Sequence, residues 1–199
     1  MNVLVGCEYS GAVRDAFTRA GHFAVSCDLL PSDAPDGMHY QCDVFEALDA
    51  HPGFWDLFVV FPPCTYLCVS GLHWNKRRPE RAAQTEEALG FVRRLLSVNV
   101  PRIALENPVG CISTRIARPT QVIQPYEFGH PESKKTCLWL KGLPPLKPTN
   151  ILPLPACGHW DNQTPSGQNK LPPSDDRWKI RSKTYQGIAD AMADQWGTL

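Results

Sequence analysis

Met1-Asn2-Val3-Leu4-Val5-Gly6-Cys7-Glu8-Tyr9-Ser10-Gly11-Ala12-Val13-Arg14-Asp15-Ala16-Phe17 opens the chain, and its reading decides the fold. Met1 to Val5 is a short apolar run, the pattern of a buried strand in a parallel sheet. Cys7 to Gly11 reads as a turn. Ala12, Val13, Ala16, Phe17 and Ala20 then share one face of a helix, which Gly21 ends as a cap. Phe23 to Cys27 is a second strand, closed by Asp28. Strand, turn, helix and strand make a βαβ unit of about thirty residues, consistent with a Rossmann-type cofactor site. In such units the acidic residue ending the second strand accepts hydrogen bonds from a ribose, and Asp28 follows Gly11 at close to the usual interval of about 20 residues. The competing reading of Asp28 is a solvent-facing loop carboxylate.

Further along, Gln41-Cys42-Asp43-Val44 ends a third, short edge segment. Asp43 either meets the adenine amino group of a nucleoside cofactor or caps a helix starting near Val44. Leu57 to Phe61 is a continuous apolar run, again a strand buried on both faces. Pro62 and Pro63 cannot donate to a ladder and stop it. Cys64 therefore stands just past a strand's carboxyl end, where open α/β sheets place reacting groups. Alone, a free cysteine is more often a small buried hydrophobe. Pro79 to Leu96 predicts a helix, and Arg102 to Leu105 a strand that ends at Glu106-Asn107-Pro108. Two consecutive parallel strands thus end in polar groups, a thiol and then a carboxyl. That pairing suggests covalent chemistry on a heterocycle, with the acid holding a ring nitrogen. The bland alternatives are a solvated carboxylate at Glu106 and an Asn-Pro turn at Asn107.

Gln121 to Phe128 and Thr136 to Leu140 predict two antiparallel strands. Lys141 to Asp176 is proline-rich and predicted largely irregular. Ser182 to Trp196 predicts a closing helix with Tyr185, Ile188, Ala189, Met192 and Trp196 on one face.

Composition bounds the rest. The 199 residues suit one domain with at most a small appended lobe. The formal net charge of +0 argues against a protein that coats nucleic acid through a global basic field. Local basic runs remain: Lys76-Arg77-Arg78 with Arg81, Lys134-Lys135, and Arg177 to Lys183. Eight cysteines without a close CxxC pair, and with no signal peptide in view, predict reduced thiols in a cytosolic protein. No apolar run reaches the roughly 20 residues of a membrane span. Cys157 and His159, with Cys137, His130 or His73, lack the paired spacing of structural zinc sites, and no metal is expected.

Taken in order, these features resemble the cytosine-C5 DNA methyltransferases, in a compact form such as bacteriophages carry. Cys7 to Phe17 is similar to that family's cofactor loop and first helix, and Asp28-Leu29 to the acidic–apolar pair that holds the ribose. Asp43 is placed like the aspartate that meets adenine. Pro62-Pro63-Cys64 resembles the Pro-Cys motif of the nucleophile, and Ser70 falls where the family has a serine near the DNA backbone. Glu106-Asn107-Pro108 is similar to its Glu-Asn-Val motif. Phe128 to Thr136 resembles the strand pair that helps hold the cytosine, and Gln186-Gly187-Ile188-Ala189 the start of the last helix.

The resemblance implies a Rossmann-like S-adenosylmethionine-dependent fold, a mostly parallel sheet flanked by helices with a minimal irregular lobe. Residues 1–140 and 177–199 would form the catalytic domain, and 141–176 a short insert in place of a target-recognition domain. It implies catalytic Cys64, Glu106 and Asn107. Glu8, Tyr9, Ser10, Gly11, Asp28, Leu29, Asp43, Pro62 and Gly187 would serve the cofactor, and Pro63, Ser70, Lys134 and Thr136 the substrate. The partner would be cytosine-containing DNA, single- or double-stranded, in the cytoplasm of a host cell if phage-encoded. Tyr9 stands in place of the first loop glycine, Cys7 in place of an aromatic, and Lys134 and Thr136 in place of arginines. Alternatives are modification of a free cytosine nucleotide, transfer of a different group, and a non-catalytic nucleic-acid-binding relative.

Overall fold

The computed structural model describes residues 1–164 and 169–199. Its sheet runs β1 (Asn2–Gly6), β2 (Phe23–Asp28), β3 (His39–Gln41), β4 (Leu57–Val60), β5 (Arg102–Pro108), β6 (Gln121–Ile123) and β7 (Thr136–Lys141) in sequence, and β3-β2-β1-β4-β5-β7-β6 in space. β1 to β5 pair with one another in parallel, and β7 is antiparallel to both β5 and β6. This is the mostly parallel, Rossmann-like sheet flanked by helices that the sequence predicts. The strand order reverses between β1 and β4, so a crevice opens at their carboxyl ends.

The helices are α1 (Ala12–Arg19), α2 (Val44–Asp49), α3 (Val69–Leu72), α4 (Pro79–Leu96), α5 (Ile112–Arg115), α6 (Arg177–Ser182) and α7 (Gln186–Trp196). They cover both faces, which is why the central strands read as unbroken apolar runs. Val3, Val5, Leu57 and Val59 pack under Phe17 of α1 and Met192 and Trp196 of α7. Leu4, Phe58, Val60 and Ile103 pack under Ala47 of α2 and Leu89 and Val92 of α4.

No helix links β2 to β3 among the described residues; residues 29–38 wrap around the buried guanidinium of Arg14 instead. Arg14 donates to the Ala34 carbonyl at 2.8 Å and the Ser26 hydroxyl at 3.1 Å, and pairs with Asp15 at 2.8 Å. A buried charge is tolerable only with such partners.

Two expected elements come out shorter. The strand from Gln121 ends at Ile123 rather than Phe128, because Pro125 has no N–H for the ladder and starts a single 3-10 turn to Glu127. The closing helix starts at Gln186 rather than Ser182: Ser182 ends α6, and Lys183 and Tyr185 are extended. Within 141–176, of which 165–168 lie outside the described residues, only Lys141 belongs to a strand, and only isolated bridges follow. That segment lies along the body: Leu146 is buried against Gln121, and the Pro144 carbonyl accepts from Trp196 at 3.0 Å. No helix of the described residues is long and apolar enough to cross a membrane.

Candidate active site

Cys64 is held by a turn stitched to its neighbours on both sides. Phe61 N–H bonds the Gly6 carbonyl at 3.0 Å, continuing the β1–β4 ladder. Pro62 is buried, and its carbonyl accepts from the Asn107 side-chain amide at 2.7 Å. Beyond Cys64 the chain makes one helical turn, with Leu67 N–H and Cys68 N–H both 3.0 Å from the Cys64 carbonyl. That turn brings Cys68 round to the same side as Cys64. The loop after β5 pairs with it: Cys111 N–H meets the Leu67 carbonyl at 2.8 Å, and Val69 N–H the Val109 carbonyl at 3.1 Å.

The two thiols are electrostatically coupled, so that one proton is shared between them. A thiolate on Cys68 is stabilised by the Cys64 S–H, by the Ser70 hydroxyl at 3.0 Å and by the Ser70 and Gly71 N–H groups, which lowers its pKa. Cys64 is pushed up, first by donating to Cys68, then by burial and by the nearby Glu106; Lys134 acts the other way. The pair therefore gives up its first proton readily and its second reluctantly.

Glu106 and Asn107 are adjacent in β5 and so point to opposite faces. Glu106 accepts from the Thr136 hydroxyl at 2.6 Å. With Phe61, Lys134, Thr136, Tyr185 and Ile188 it lines a small cavity on the α7 side. Lys134 donates to the Arg181 carbonyl at 2.7 Å and lies 5.8 Å over the Tyr185 ring. Asn107 is buried on the α4 side; its amide nitrogen clamps Pro62, and its Oδ1 has no partner.

Across the Pro62-Pro63 turn lies a cleft of about 430 Å³, within the range of small-molecule sites. Asp28, Leu29, Asp43 and Pro63 line it, as do Cys7, Tyr66 and, from α4, Glu87 and Phe91. Asp43 also caps α2, accepting from Phe45 N–H at 2.8 Å, so both roles read for it are compatible. Asp28 accepts from Leu30 N–H at 3.0 Å. Cys7 adopts φ 56, rare for a residue with a Cβ. Burial, with Asp28 and Asp43 beside it, pushes the Cys7 thiol up to about 12. Among the described residues the lining holds three carboxylates and no Lys or Arg. That suits a cationic nucleoside such as S-adenosylmethionine and disfavours a phosphate-bearing cofactor.

The remaining expected cofactor residues sit elsewhere. Glu8 is buried and accepts from Val13 N–H at 2.7 Å and Arg14 N–H at 3.2 Å, capping α1; burial pushes its carboxyl up to about 7. Ser10 donates to Glu8 at 3.4 Å. Tyr9 is buried, with its hydroxyl 3.0 Å from the Lys179 carbonyl and 2.9 Å from Ser182, tying α6 to the first loop. Gly11, at φ 73, backs onto the Arg14 guanidinium, where a Cβ would collide. Gly187 donates its N–H to His130 at 2.9 Å and backs onto the Phe128 carbonyl. The structure thus gathers Asp28, Leu29, Asp43 and Pro63 in one recess and Glu106, Lys134 and Thr136 in another, with Cys64 in electrostatic reach of the second. Sequence reasoning missed Cys68, whose signal was its position one helical turn after Cys64, and the wall from α4, which only tertiary packing reveals.

No family model matches the chain, and no curated protein matches it. Among solved structures, it is similar to a protein described as a DNA modification methyltransferase encoded within a prophage (E. coli), with TM-score 0.47 and 15% identity over 77% of this chain and 52% of that one. It is likewise similar to the S. pombe Dnmt2 methyltransferase, with TM-score 0.47 and 17% identity over 73% of this chain and 51% of the other. The chain spans about half the length of each.

Proposed function

We propose that the protein transfers a methyl group to C5 of cytosine in DNA, with Cys64 as the covalent nucleophile. The observation that carries this reading is the placement of Cys64 and Glu106 at the ends of adjacent parallel strands, within electrostatic reach of each other, with a carboxylate-lined cleft at the neighbouring Pro63. S-adenosylmethionine, held by Asp28 and Asp43 in that cleft, would supply an electrophilic methyl group.

Cys68 takes the proton of Cys64 as the Cys64 sulfur adds to C6 of the ring. The electron pair of the C5–C6 double bond moves toward the carbonyl and N3, where Glu106 shares a proton with the ring nitrogen. Thr136 holds Glu106 in place by its 2.6 Å hydrogen bond. C5, now electron-rich, takes the methyl group. Water removes the C5 proton, the electrons restore the double bond, and Cys64 leaves as thiolate. Losing a preorganised partner for developing charge commonly costs ~10²–10³-fold in rate. Asn107 positions the loop through its bond to the Pro62 carbonyl. Cytosine cannot be attacked at C6 while stacked in a duplex, so the base is flipped or presented unpaired. Residues 1–140 and 177–199 form the catalytic domain in this reading, and 141–176 stand where a target-recognition domain would be.

Tritium transfer from labelled S-adenosylmethionine to cytosine-containing DNA tests it, with digestion to nucleosides and mass spectrometry to place the label. The wild type is expected to yield 5-methylcytosine, and Cys64→Ser none. Equal labelling by both would remove Cys64 from the mechanism, and a label on another base would remove the reaction.

A further inference from the structure

We propose that the substrate is an unpaired stretch of DNA, gripped at the sheet edge that carries Cys64 by two exposed tryptophans set among cations. This rests on the reading above and names the form of its substrate.

The first grip grows from the Cys64 loop. α3 runs directly into the 3-10 turn His73–Lys76, so Trp74 is carried on the nucleophile's own segment. Trp74 is 39% exposed. The guanidinium groups of Arg78 and Arg77 lie 5.0 and 5.9 Å from its ring, and Lys76 is exposed beside them.

The second grip is α6, whose Trp178 is 51% exposed and accompanied by Lys179 and Arg181. Tyr9, in the loop that leaves the carboxyl end of β1, contacts Trp178 at 5.9 Å between rings and bonds the Lys179 carbonyl. Lys134, just before β7, bonds the Arg181 carbonyl. The ends of β1 and β4 and the start of the antiparallel β7 all lie at the carboxyl edge of the sheet. Both tryptophans are therefore anchored at the edge that carries Cys64. The acids close by are Asp33, which pairs with Lys183 at 3.2 Å, Asp175 and Asp176, which precede α6, Glu132, which accepts from Tyr185, and Glu80 two residues after Arg78.

Aromatic platforms with flanking cations bind single strands by stacking, whatever the base. Duplex readout needs a scaffold in a groove and many phosphate contacts. Neither is on view: 141–176 contributes no helix among its described residues, and the net charge is +0.

Fluorescence anisotropy and methyl transfer, measured on one oligonucleotide as single-stranded DNA, as duplex and as RNA, provide the test. Single-stranded DNA is expected to bind at least 10-fold tighter than either and to quench tryptophan emission. Trp74→Ala and Trp178→Ala should each weaken it by roughly 5- to 100-fold, with Trp74→Phe restoring most of the loss. Arg78→Gln should reduce the slope of log K against log salt by about 0.7. Duplex or RNA binding as tight as single-stranded DNA, or unchanged binding in both alanine variants, overturns the proposal. Equal labelling of duplex and single strand overturns it while leaving C5 transfer standing. Tight single-strand binding through both tryptophans with no labelling of any form upholds the grip and removes the transfer reaction.

Discussion

The Asn107 side chain holds the carbonyl of Pro62 at 2.7 Å, so the residue after one strand-end carboxylate fixes the turn before the neighbouring strand's thiol. Both partners are buried, and removing the donor leaves the Pro62 carbonyl unpaired, at about 1–3 kcal/mol. Asn107→Ala is expected to lose that much stability in urea denaturation. Its methyl-transfer rate should fall by roughly 10²-fold, the scale of an ångström's misplacement of a reacting group. Asn107→Asp should be worse, since a carboxylate would face a carbonyl. Wild-type stability and rate in Asn107→Ala would show that the clamp does nothing.

Cys68 gives Cys64 a proton acceptor one helical turn away. At pH 6 to 7 the wild type should therefore react with one equivalent of iodoacetamide quickly, first at Cys68, as peptide mapping would show. In Cys68→Ala, Cys64 must lose its proton to water. The acidic limb of the methyl-transfer pH profile should move to higher pH, toward the ordinary thiol value of about 8.5. Cys68→Ser keeps a hydrogen-bond acceptor but not a base and should follow the alanine variant. An unmoved profile, with first alkylation at Cys64 in the wild type, would assign the proton to another group.

The parts of this site that the sequence disclosed are local ones. A strand stopped by Pro62-Pro63 places Cys64, and a strand ending at Glu106 places a carboxyl beside it, because parallel neighbours β4 and β5 end at the same edge. Period-two alternation also separates Glu106 from Asn107, yet adjacency invites reading them as one catalytic unit. The contribution of Glu87 and Phe91 to the cleft was not legible, since nothing local to α4 says which strand ends it will overhang. Nor was the buried knot of Glu8 and Tyr9, residues that a turn motif suggests for a ligand and that packing commits to α1 and α6.

Glu8 gives the fold a pH dependence of definite sign. Its carboxyl is raised from 4.5 to about 7 by burial, against the pull of the Val13 and Arg14 N–H groups. The folded state therefore holds a proton that the unfolded state has released between those values. Its contribution to stability is fully present below about 4.5, declines as pH rises through about 7, and is flat above. The total is on the order of 3 kcal/mol. Urea midpoints of the wild type minus those of Glu8→Gln should fall from pH 5 to 7 and level off by pH 8. A difference independent of pH over that range would mean Glu8 ionises normally in the folded protein.

Gly110 and Gly90 should respond to the same substitution in opposite ways. A Cβ on Gly110 would run into the Leu67 carbonyl and the Cys68 Cα, on the loop that carries Cys64. Gly110→Ala must therefore part the two strand-end loops and stretch the 2.8 Å bond between Cys111 N–H and Leu67. Overpacking of this kind costs about 1–3 kcal/mol. The same displacement moves Cys64 away from Glu106, so methyl transfer should fall by roughly 10²-fold. Gly90 lies inside α4, and a Cβ there meets nothing within 4 Å. Gly90→Ala should stabilise by about 1 kcal/mol through helix propensity alone, with the rate unchanged. Thermal denaturation and single-turnover transfer on both variants check this. A Gly110→Ala protein as active as Gly90→Ala would mean that the loops slide past one another freely, and that the seam between Leu67 and Cys111 does not set the distance from thiol to carboxyl.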